Sequence, residues 1–178
     1  MTDINFGNIS RLEEFISRAR RIAIVTHMKP DGDAMGSCIA LYHCIGMYGS
    51  ASAKIIINDR YPDYLGFLAA EVPDSDMIVH AQLPLEAETA IKDSDLVICL
   101  DFNAFHRTDI LQDSLTSSSA AKVLIDHHLN PDRDAFTLVI SETQVSSASE
   151  LLYHTLMKMP DISGNACNLP PRAMEALM

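Results

Sequence analysis

The sequence lacks several features that would assign it to common protein classes. No apolar run approaches the roughly 20 residues that a membrane helix needs, and the opening stretch, MTDINFGNIS, has neither a basic leader nor an apolar core. The 4 cysteines form no CxxC pair, a pattern typical of reduced, mostly buried thiols. We therefore predict a cytoplasmic protein with no signal peptide and no membrane segment.

Basic residues are also scarce. Lys and Arg number 13 against 24 Asp and Glu, which gives a net charge of −11. Proteins that bind long nucleic acid through its phosphates usually present a basic surface. The balance therefore argues against a long duplex as a partner and leaves a small phosphorylated substrate open. Acids gathered around cations would raise the negative charge, although a solvated acidic surface is the commoner cause.

The chain does contain an alternation of short apolar runs and helical patterns. Its 178 residues suit one compact domain, and apolar strands separated by helices are typical of a parallel sheet covered on both faces. We predict such an α/β fold. Its predicted strands are RIAIV, KIIIN, DMIVH, DLVICLD, AKVLIDHH and, as a candidate edge strand, AFTLVIS.

The predicted helices connect these strands. The first begins at the capping-box pair Ser10 and Glu13, and the second runs over 35–48 and ends at Gly49. Shorter helices are expected in YPDYLGFL, PLEAETAIKD and HRTDILQDSL, and a longer amphipathic one over 146–159, where the serines make good N-caps.

Polar residues follow three of the strongest predicted strands. In open parallel sheets, ligands bind beyond the carboxyl ends of the strands. If these strands are neighbours, one edge of the sheet collects His27, Asp31, Asp33, Asp101, Asp126, His127 and His128. Carboxylates and imidazoles without thiolates favour Mn²⁺, Mg²⁺ or a similar ion. Two such ions can bind the attacking and leaving oxygens of a phosphoryl transfer.

These residues carry a resemblance to a known family. HMKPDGDAMGS (27–37) fits the HxxPDxDxxGS motif of the DHH phosphoesterase superfamily, and 126–128 is the triplet that names it. Asp101, with Arg107 six residues later, resembles the second motif, and SSASE (146–150) resembles the serine-rich helix start that follows the triplet. The chain is most similar to the nanoRNase/pAp-phosphatase branch.

The resemblance implies a pair of Mn²⁺ ions, with Mg²⁺ or Co²⁺ as alternatives. His27 and Asp31 would hold one ion, Asp33 and His127 the other, and Asp101 would bridge both. Taken alone, the loop PDGD also fits a turn whose acids cap the next helix.

Further roles follow from the same resemblance. His128 would face the substrate phosphate, and Asp126 would orient an imidazole rather than bind metal. Gly36 and Ser37 are expected to begin a helix whose N–H groups help to receive the phosphate. Arg107 either contacts substrate or pairs with a surface acid.

The family pattern is incomplete in this chain. A further aspartate in a DTG-like motif would fall just past Met178, and the DHH-associated second domain is missing. We therefore expect a catalytic domain over 1–160 and the start of a further helix over 161–178, from a protein roughly twice as long. Alone, the fragment would hydrolyse slowly or not at all.

The predicted function is a Mn²⁺-dependent phosphoesterase that cleaves short oligonucleotides (nanoRNA) or 3′-phosphoadenosine 5′-phosphate (pAp). Alternatives are a phosphodiesterase for linear products of cyclic dinucleotides, a family II pyrophosphatase-like enzyme, and a non-catalytic lobe that binds nucleotide or a partner. A haloacid-dehalogenase phosphatase fits less well, because its nucleophilic Asp directly follows the strand, where this chain has His27. The family often dimerises, so a homodimer is left open.

Overall fold

The computed structural model describes residues 6–48 and 51–178, which form an α/β domain around a parallel sheet. The sheet has 6 strands in the order β3-β2-β1-β4-β5-β6, and every neighbouring pair is parallel. The strands are β1 (Arg21–Val25), β2 (Ser52–Ile57), β3 (Met77–Val79), β4 (Leu96–Leu100), β5 (Ala121–Asp126) and β6 (Leu138–Ser141).

Helices connect the strands. They are α1 (Phe6–Arg18), α2 (Gly32–Ile45), α3 (Gly66–Ala69), α4 (Pro84–Lys92), α5 (Gln112–Ser117), α6 (Ala148–Met157) and α7 (Pro171–Leu177). A 3₁₀ segment, Phe105–Leu111, precedes α5. Within the described ranges, no helix combines the length and the apolar character that a membrane crossing would need.

Helices cover both faces of the sheet, because successive strand residues point to opposite sides. In β1, Ile22 and Ile24 pack into one core cluster, together with residues of α1, α2, α6 and α7. The neighbouring Ala23 and Val25 pack into a second cluster on the other face, with residues of α4 and α5. The predicted parallel sheet with helices on both faces is confirmed, and β6 lies at an edge.

Two predicted helix starts are wrong. The first helix begins at Phe6, so Ser10 and Glu13 lie inside it and do not form its N-terminal capping box. The second begins at Gly32 rather than at residue 35, because Asp31 is its N-cap. The predicted end of that helix, Gly49, falls outside the described residues.

The predicted single helix in HRTDILQDSL is also divided. Asp109 has φ 47°, a left-handed conformation that interrupts the 3₁₀ segment before α5. The chain after β4 therefore forms a bent connection and not one continuous helix.

Candidate metal centre

The strands β1, β4 and β5 are adjacent, as predicted, and their carboxyl ends are level. Val25 pairs with Cys99, and Leu100 pairs with Ile125. The buried hydroxyl of Thr26 donates a 2.9 Å hydrogen bond to the carbonyl oxygen of Leu100, which joins the ends of β1 and β4. The polar residues that follow these strands are thereby brought to one edge of the sheet.

Asp101 lies at the centre of this edge. Its side chain is only 4% exposed. One carboxylate oxygen, Oδ2, lies 3.5 Å from Nε2 of His27, and the other, Oδ1, lies 3.5 Å from Nε2 of His127. The residue adopts φ 64°, a conformation rare for residues other than glycine. This backbone geometry occurs at the residue whose carboxylate contacts both imidazoles.

One group of potential ligands combines the loop after β1 with Asp101. Atoms of His27, Asp31 and Asp101 lie within 4.8 Å of one another. Nδ1 of His27 lies 2.7 Å from the carbonyl oxygen of Met28. With Nδ1–H donating there, Nε2–H of the doubly protonated ring donates toward Asp101, and loss of that proton would leave the Nε2 lone pair for a metal.

The second group lies on the other side of Asp101. Atoms of Asp101, His127 and His128 lie within 4.8 Å of one another. Oδ2 of Asp33 lies 3.8 Å from Nε2 of His127. The structure therefore brings Asp33 and His127 together, as the resemblance implies, and adds His128 to the same neighbourhood.

Asp126 contacts His128 rather than the centre of the cluster. Oδ1 of its buried carboxylate lies 2.7 Å from Nδ1 of His128. Oδ2 accepts the backbone N–H of His128 at 3.2 Å. Such a paired contact fixes the orientation of the ring and leaves Nε2 for another partner. This is the geometry expected of an aspartate that orients an imidazole.

The two aspartates of the loop also cap helices. Oδ1 of Asp31 accepts the backbone N–H groups of Asp33 and Ala34 at 3.0 and 3.1 Å, so Asp31 is the N-cap of α2. The Asp33 carboxylate accepts backbone N–H groups from Ala148 and Ser149 of α6 at 2.7 and 2.8 Å. The capping interpretation of PDGD is therefore correct for Asp31, whereas Asp33 caps the distant helix α6 and not the next one, and both contacts coexist with the cluster of potential ligands.

Gly36 and Ser37 do not begin the helix, and that expectation is wrong. They lie in the second turn of α2, where backbone N–H groups bond within the helix and are not free for a phosphate. The buried Ser37 donates its hydroxyl to the carbonyl of Ala34 at 3.2 Å. A Cβ atom at Gly36 would overlap the carbonyl oxygen of Ala176. Gly36 therefore permits the close approach of α7 to α2.

The structure places the backbone of Arg107 beside the site. Its carbonyl oxygen accepts the N–H of Met28 at 2.9 Å, next to His27, whereas its side chain is exposed. The buried Asn58, at the carboxyl end of β2, donates to the neighbouring carbonyl of Thr108. The segment after β4 is thus joined to the ends of both β1 and β2.

Sequence reasoning missed the contribution of β2. Asp59 follows Asn58, and its Oδ2 accepts the N–H of Lys29 in the loop after β1 at 3.0 Å. The signal was available, since polar residues follow the apolar run KIII as they follow RIAIV. These residues support the loop that carries His27 and Asp31.

The site places the buried Asp101 carboxylate close to two other acids, Asp31 and Asp33. Burial raises the pKa of the Asp101 carboxyl, and the nearby carboxylates of Asp33 and Asp31 raise it further, against the opposing hydrogen bond from His27. The hydrogen bond with Asp101 in turn raises the pKa of His27. A divalent cation among these groups would relieve the repulsion. The donor set, carboxylates and imidazoles, fits a Mn²⁺-like ion.

Comparisons with known proteins relate the chain to one protein family. The sequence model of the DHH family, N-terminal domain, matches residues 21–178. An exopolyphosphatase-related protein from Bacteroides fragilis is 30% identical, with a TM-score of 0.89 over 99% of this chain and 49% of its own. The present chain therefore spans about half the length of that relative.

More distant structures are also similar. RecJ from Thermus thermophilus, in complex with Mn²⁺, is 18% identical over 89% of this chain and 22% of its own, with a TM-score of 0.47 that is too low to support an argument. Sir2Af2, bound to a myristoylated histone peptide, is 10% identical over 85% of this chain and 96% of its own, with a TM-score of 0.52. That likeness concerns the fold alone.

Proposed function

This chain belongs to the DHH family, and we propose that it provides the metal-binding lobe of a two-metal phosphoesterase. The proposed substrates are short oligonucleotides and 3′-phosphoadenosine 5′-phosphate, and the proposed ions are two Mn²⁺, with Mg²⁺ or Co²⁺ as alternatives. Linear products of cyclic dinucleotides remain the second substrate class.

The observation that carries this proposal is the position of Asp101 between two imidazoles. Its two oxygens lie 3.5 Å from Nε2 of His27 and 3.5 Å from Nε2 of His127. An ordinary ion pair needs one partner on one side, and a carboxylate at the end of a strand needs no imidazole at all. A buried carboxylate with a potential ligand on each side is suited to bridge two cations.

The remaining ligands fall on the two sides of Asp101. We assign His27 and Asp31 to one ion, and Asp33 and His127 to the other. When bound, the cations supply the positive charge that stabilises both the attacking and the leaving oxygen of a phosphoryl transfer. The fold holds these ligand side chains in place and keeps their nitrogen and oxygen lone pairs available.

We assign His128 to the substrate. Nδ1–H of His128 donates to Asp126, and when the ring is doubly protonated its Nε2–H can donate a hydrogen bond to a phosphate oxygen or a proton to the leaving oxygen. His128 is the most exposed member of the cluster around Asp101 and His127, since its side chain is 41% exposed. That exposure supports contact with a substrate.

The proposed choice of substrate follows from the charge of the chain. Net charge of −11 disfavours a long duplex and is compatible with a small phosphorylated nucleotide held through cations. We propose a catalytic domain over 1–160, followed by the start of a further helix over 161–178. Because the chain spans about half of its relative, hydrolysis is best tested with the product of the complete gene.

The test is a substrate panel with purified, metal-stripped protein. A dinucleotide, pAp, a linear cyclic-dinucleotide product and pyrophosphate are each supplied with and without Mn²⁺. We expect Mn²⁺-dependent hydrolysis of the dinucleotide or pAp, and its loss in Asp101→Asn. Asp74→Asn, which removes an exposed carboxylate away from the cluster, is the matched control. Wild-type rates in Asp101→Asn would contradict the bridging role. Binding of Mn²⁺ without hydrolysis of any substrate would support the non-catalytic lobe.

A further inference from the structure

Both oxygens of the Asp33 carboxylate are held by one turn of a distant helix. Oδ2 accepts the backbone N–H of Ala148 at 2.7 Å, and Oδ1 accepts that of Ser149 at 2.8 Å. Ala148 and Ser149 are the first two residues of α6 and lie 115 and 116 positions from Asp33 in the sequence. The contact therefore joins the loop after β1 to the serine-rich segment after β6.

The first turn of α6 is built around this contact. The N-cap Ser147 accepts the N–H of Glu150 at 3.0 Å, so the third amide of the helix is satisfied locally. The Glu150 carboxylate accepts the backbone N–H and the hydroxyl of Ser146 at 2.7 and 2.6 Å. The first two amides, which no helical carbonyl can reach, are the ones that Asp33 accepts.

This arrangement restricts the carboxylate more than a single hydrogen bond would. Two parallel N–H donors define the plane of the group, and the positive end of a helix stabilises its negative charge. A carboxylate has about four lone-pair positions, so each oxygen retains one. Oδ2 lies 3.8 Å from Nε2 of His127, and its remaining lone pair is the one available to an ion shared with that imidazole.

We propose that the first turn of α6 is a positioning element for the Asp33 carboxylate. The amides of Ala148 and Ser149 hold Oδ2 in the orientation needed by the ion that Asp33 shares with His127, and Ser147 keeps the turn wound. This inference rests on the proposed function and gives the SSASE segment the role of supporting a metal ligand.

The sharpest test is Ala148→Pro. Proline suits the first position of a helix, and the extended backbone of Ser147, with φ −158° and ψ 162°, suits the residue before a proline. The substitution retains the helix start but removes the N–H and places ring atoms against Oδ2 of Asp33. We expect Mn²⁺ affinity, measured by calorimetric titration of the stripped chain, to fall about 10–100-fold, with the helical circular dichroism retained.

A pair of variants at Ser147 tests the inference even if the proline variant misfolds. Ser147→Ala removes the N-cap oxygen, and we expect about a 10-fold loss of Mn²⁺ affinity. Ser147→Asn retains a capping oxygen and is expected to bind like the wild type. Leu156→Ala, at the buried far end of α6, should lower the melting temperature and leave Mn²⁺ affinity unchanged.

Three results would overturn the inference. Wild-type affinity in a folded Ala148→Pro, or in both Ser147 variants, would overturn the inference while leaving the proposed function standing. A loss of affinity in Leu156→Ala as large as that in Ser147→Ala would show that α6 acts only through general stability. A wild-type chain that binds no Mn²⁺ would overturn the proposed function, and this inference with it.

Discussion

Replacing Asp101 with asparagine should separate the stability of this domain from its metal binding. Asparagine has nearly the same shape and tolerates the left-handed backbone, φ 64°, that Asp101 adopts. Alanine does not tolerate it as well and would add a backbone penalty. Asp101→Asn therefore removes the bridging charge with the least disturbance of the fold.

The metal-free variant is expected to be at least as stable as the wild type at neutral pH. Burial raises the pKa of Asp101, with contributions from the nearby Asp33 and Asp31, so the folded protein holds this proton more tightly than the unfolded chain does. That stabilising contribution is fully present below the ordinary pKa of Asp, and it is lost as the pH rises through the raised pKa. Once the pH exceeds that raised pKa, ionisation in the buried site destabilises the metal-free fold, and the neutral amide of Asn avoids this cost.

Binding of Mn²⁺ should stabilise the wild type much more than the Asp101→Asn variant. An ion at 100 times its dissociation constant stabilises the folded state by about 2.7 kcal/mol. For a chain of 178 residues, each kcal/mol corresponds to about 2–4 °C in melting temperature. The wild type should therefore gain about 5–11 °C from one ion, and Asp101→Asn should gain little.

The assay is thermal unfolding followed by circular dichroism, with chelator-treated protein and a series of Mn²⁺ concentrations. Asp74→Asn, an exposed carboxylate substitution, should respond like the wild type. A Mn²⁺-dependent rise in the melting temperature of Asp101→Asn as large as that of the wild type would show that ion binding does not depend on the central carboxylate.

Three further predictions address other parts of the structure. His128→Ala should slow turnover while leaving Mn²⁺ content near normal, measured by elemental analysis; loss of metal would show that His128 is a ligand. Gly36→Ala should destabilise the fold by about 1–3 kcal/mol in urea unfolding, because its Cβ would overlap the carbonyl of Ala176, whereas a Cβ at Gly46 meets nothing within 4 Å and Gly46→Ala should be nearly neutral. Of the four thiols, only the exposed Cys167 should react rapidly with a thiol reagent in the native protein, and an equal rate for a second thiol would contradict the packing. Burial raises the pKa of the other three, Cys38, Cys44 and Cys99.

The architecture could be predicted because its signals are local. The apolar runs RIAIV, LVICL and AKVLID each correspond to a buried strand, and their end residues meet as expected for parallel neighbours. The predicted start of the second helix was wrong because more than one residue could begin it. The loop PDGD offered Asp31 as a cap, but the helical spacing alone placed the start near Met35.

The features that the sequence did not reveal depend on long-range contacts. Asp33 meets the first turn of α6 across 115 residues, and Gly36 meets Ala176 of α7. Asp33 and Gly36 both belong to the motif that was interpreted as a loop for metal and phosphate. Only the packing of the folded chain shows that Gly36 permits the close contact between α2 and α7. Asn58 and Asp59 carried a usable signal at the end of β2, but no family motif drew attention to them.

The most direct test of the account is a crystal structure of the protein grown with Mn²⁺, with the ions located by anomalous scattering. We expect two anomalous peaks about 3.5–4 Å apart, one on the His27 side of Asp101 and one on the His127 side. Mn²⁺ bound elsewhere on the surface, with no peak within reach of the Asp101 carboxylate, would contradict the claim that this carboxylate bridges a metal pair.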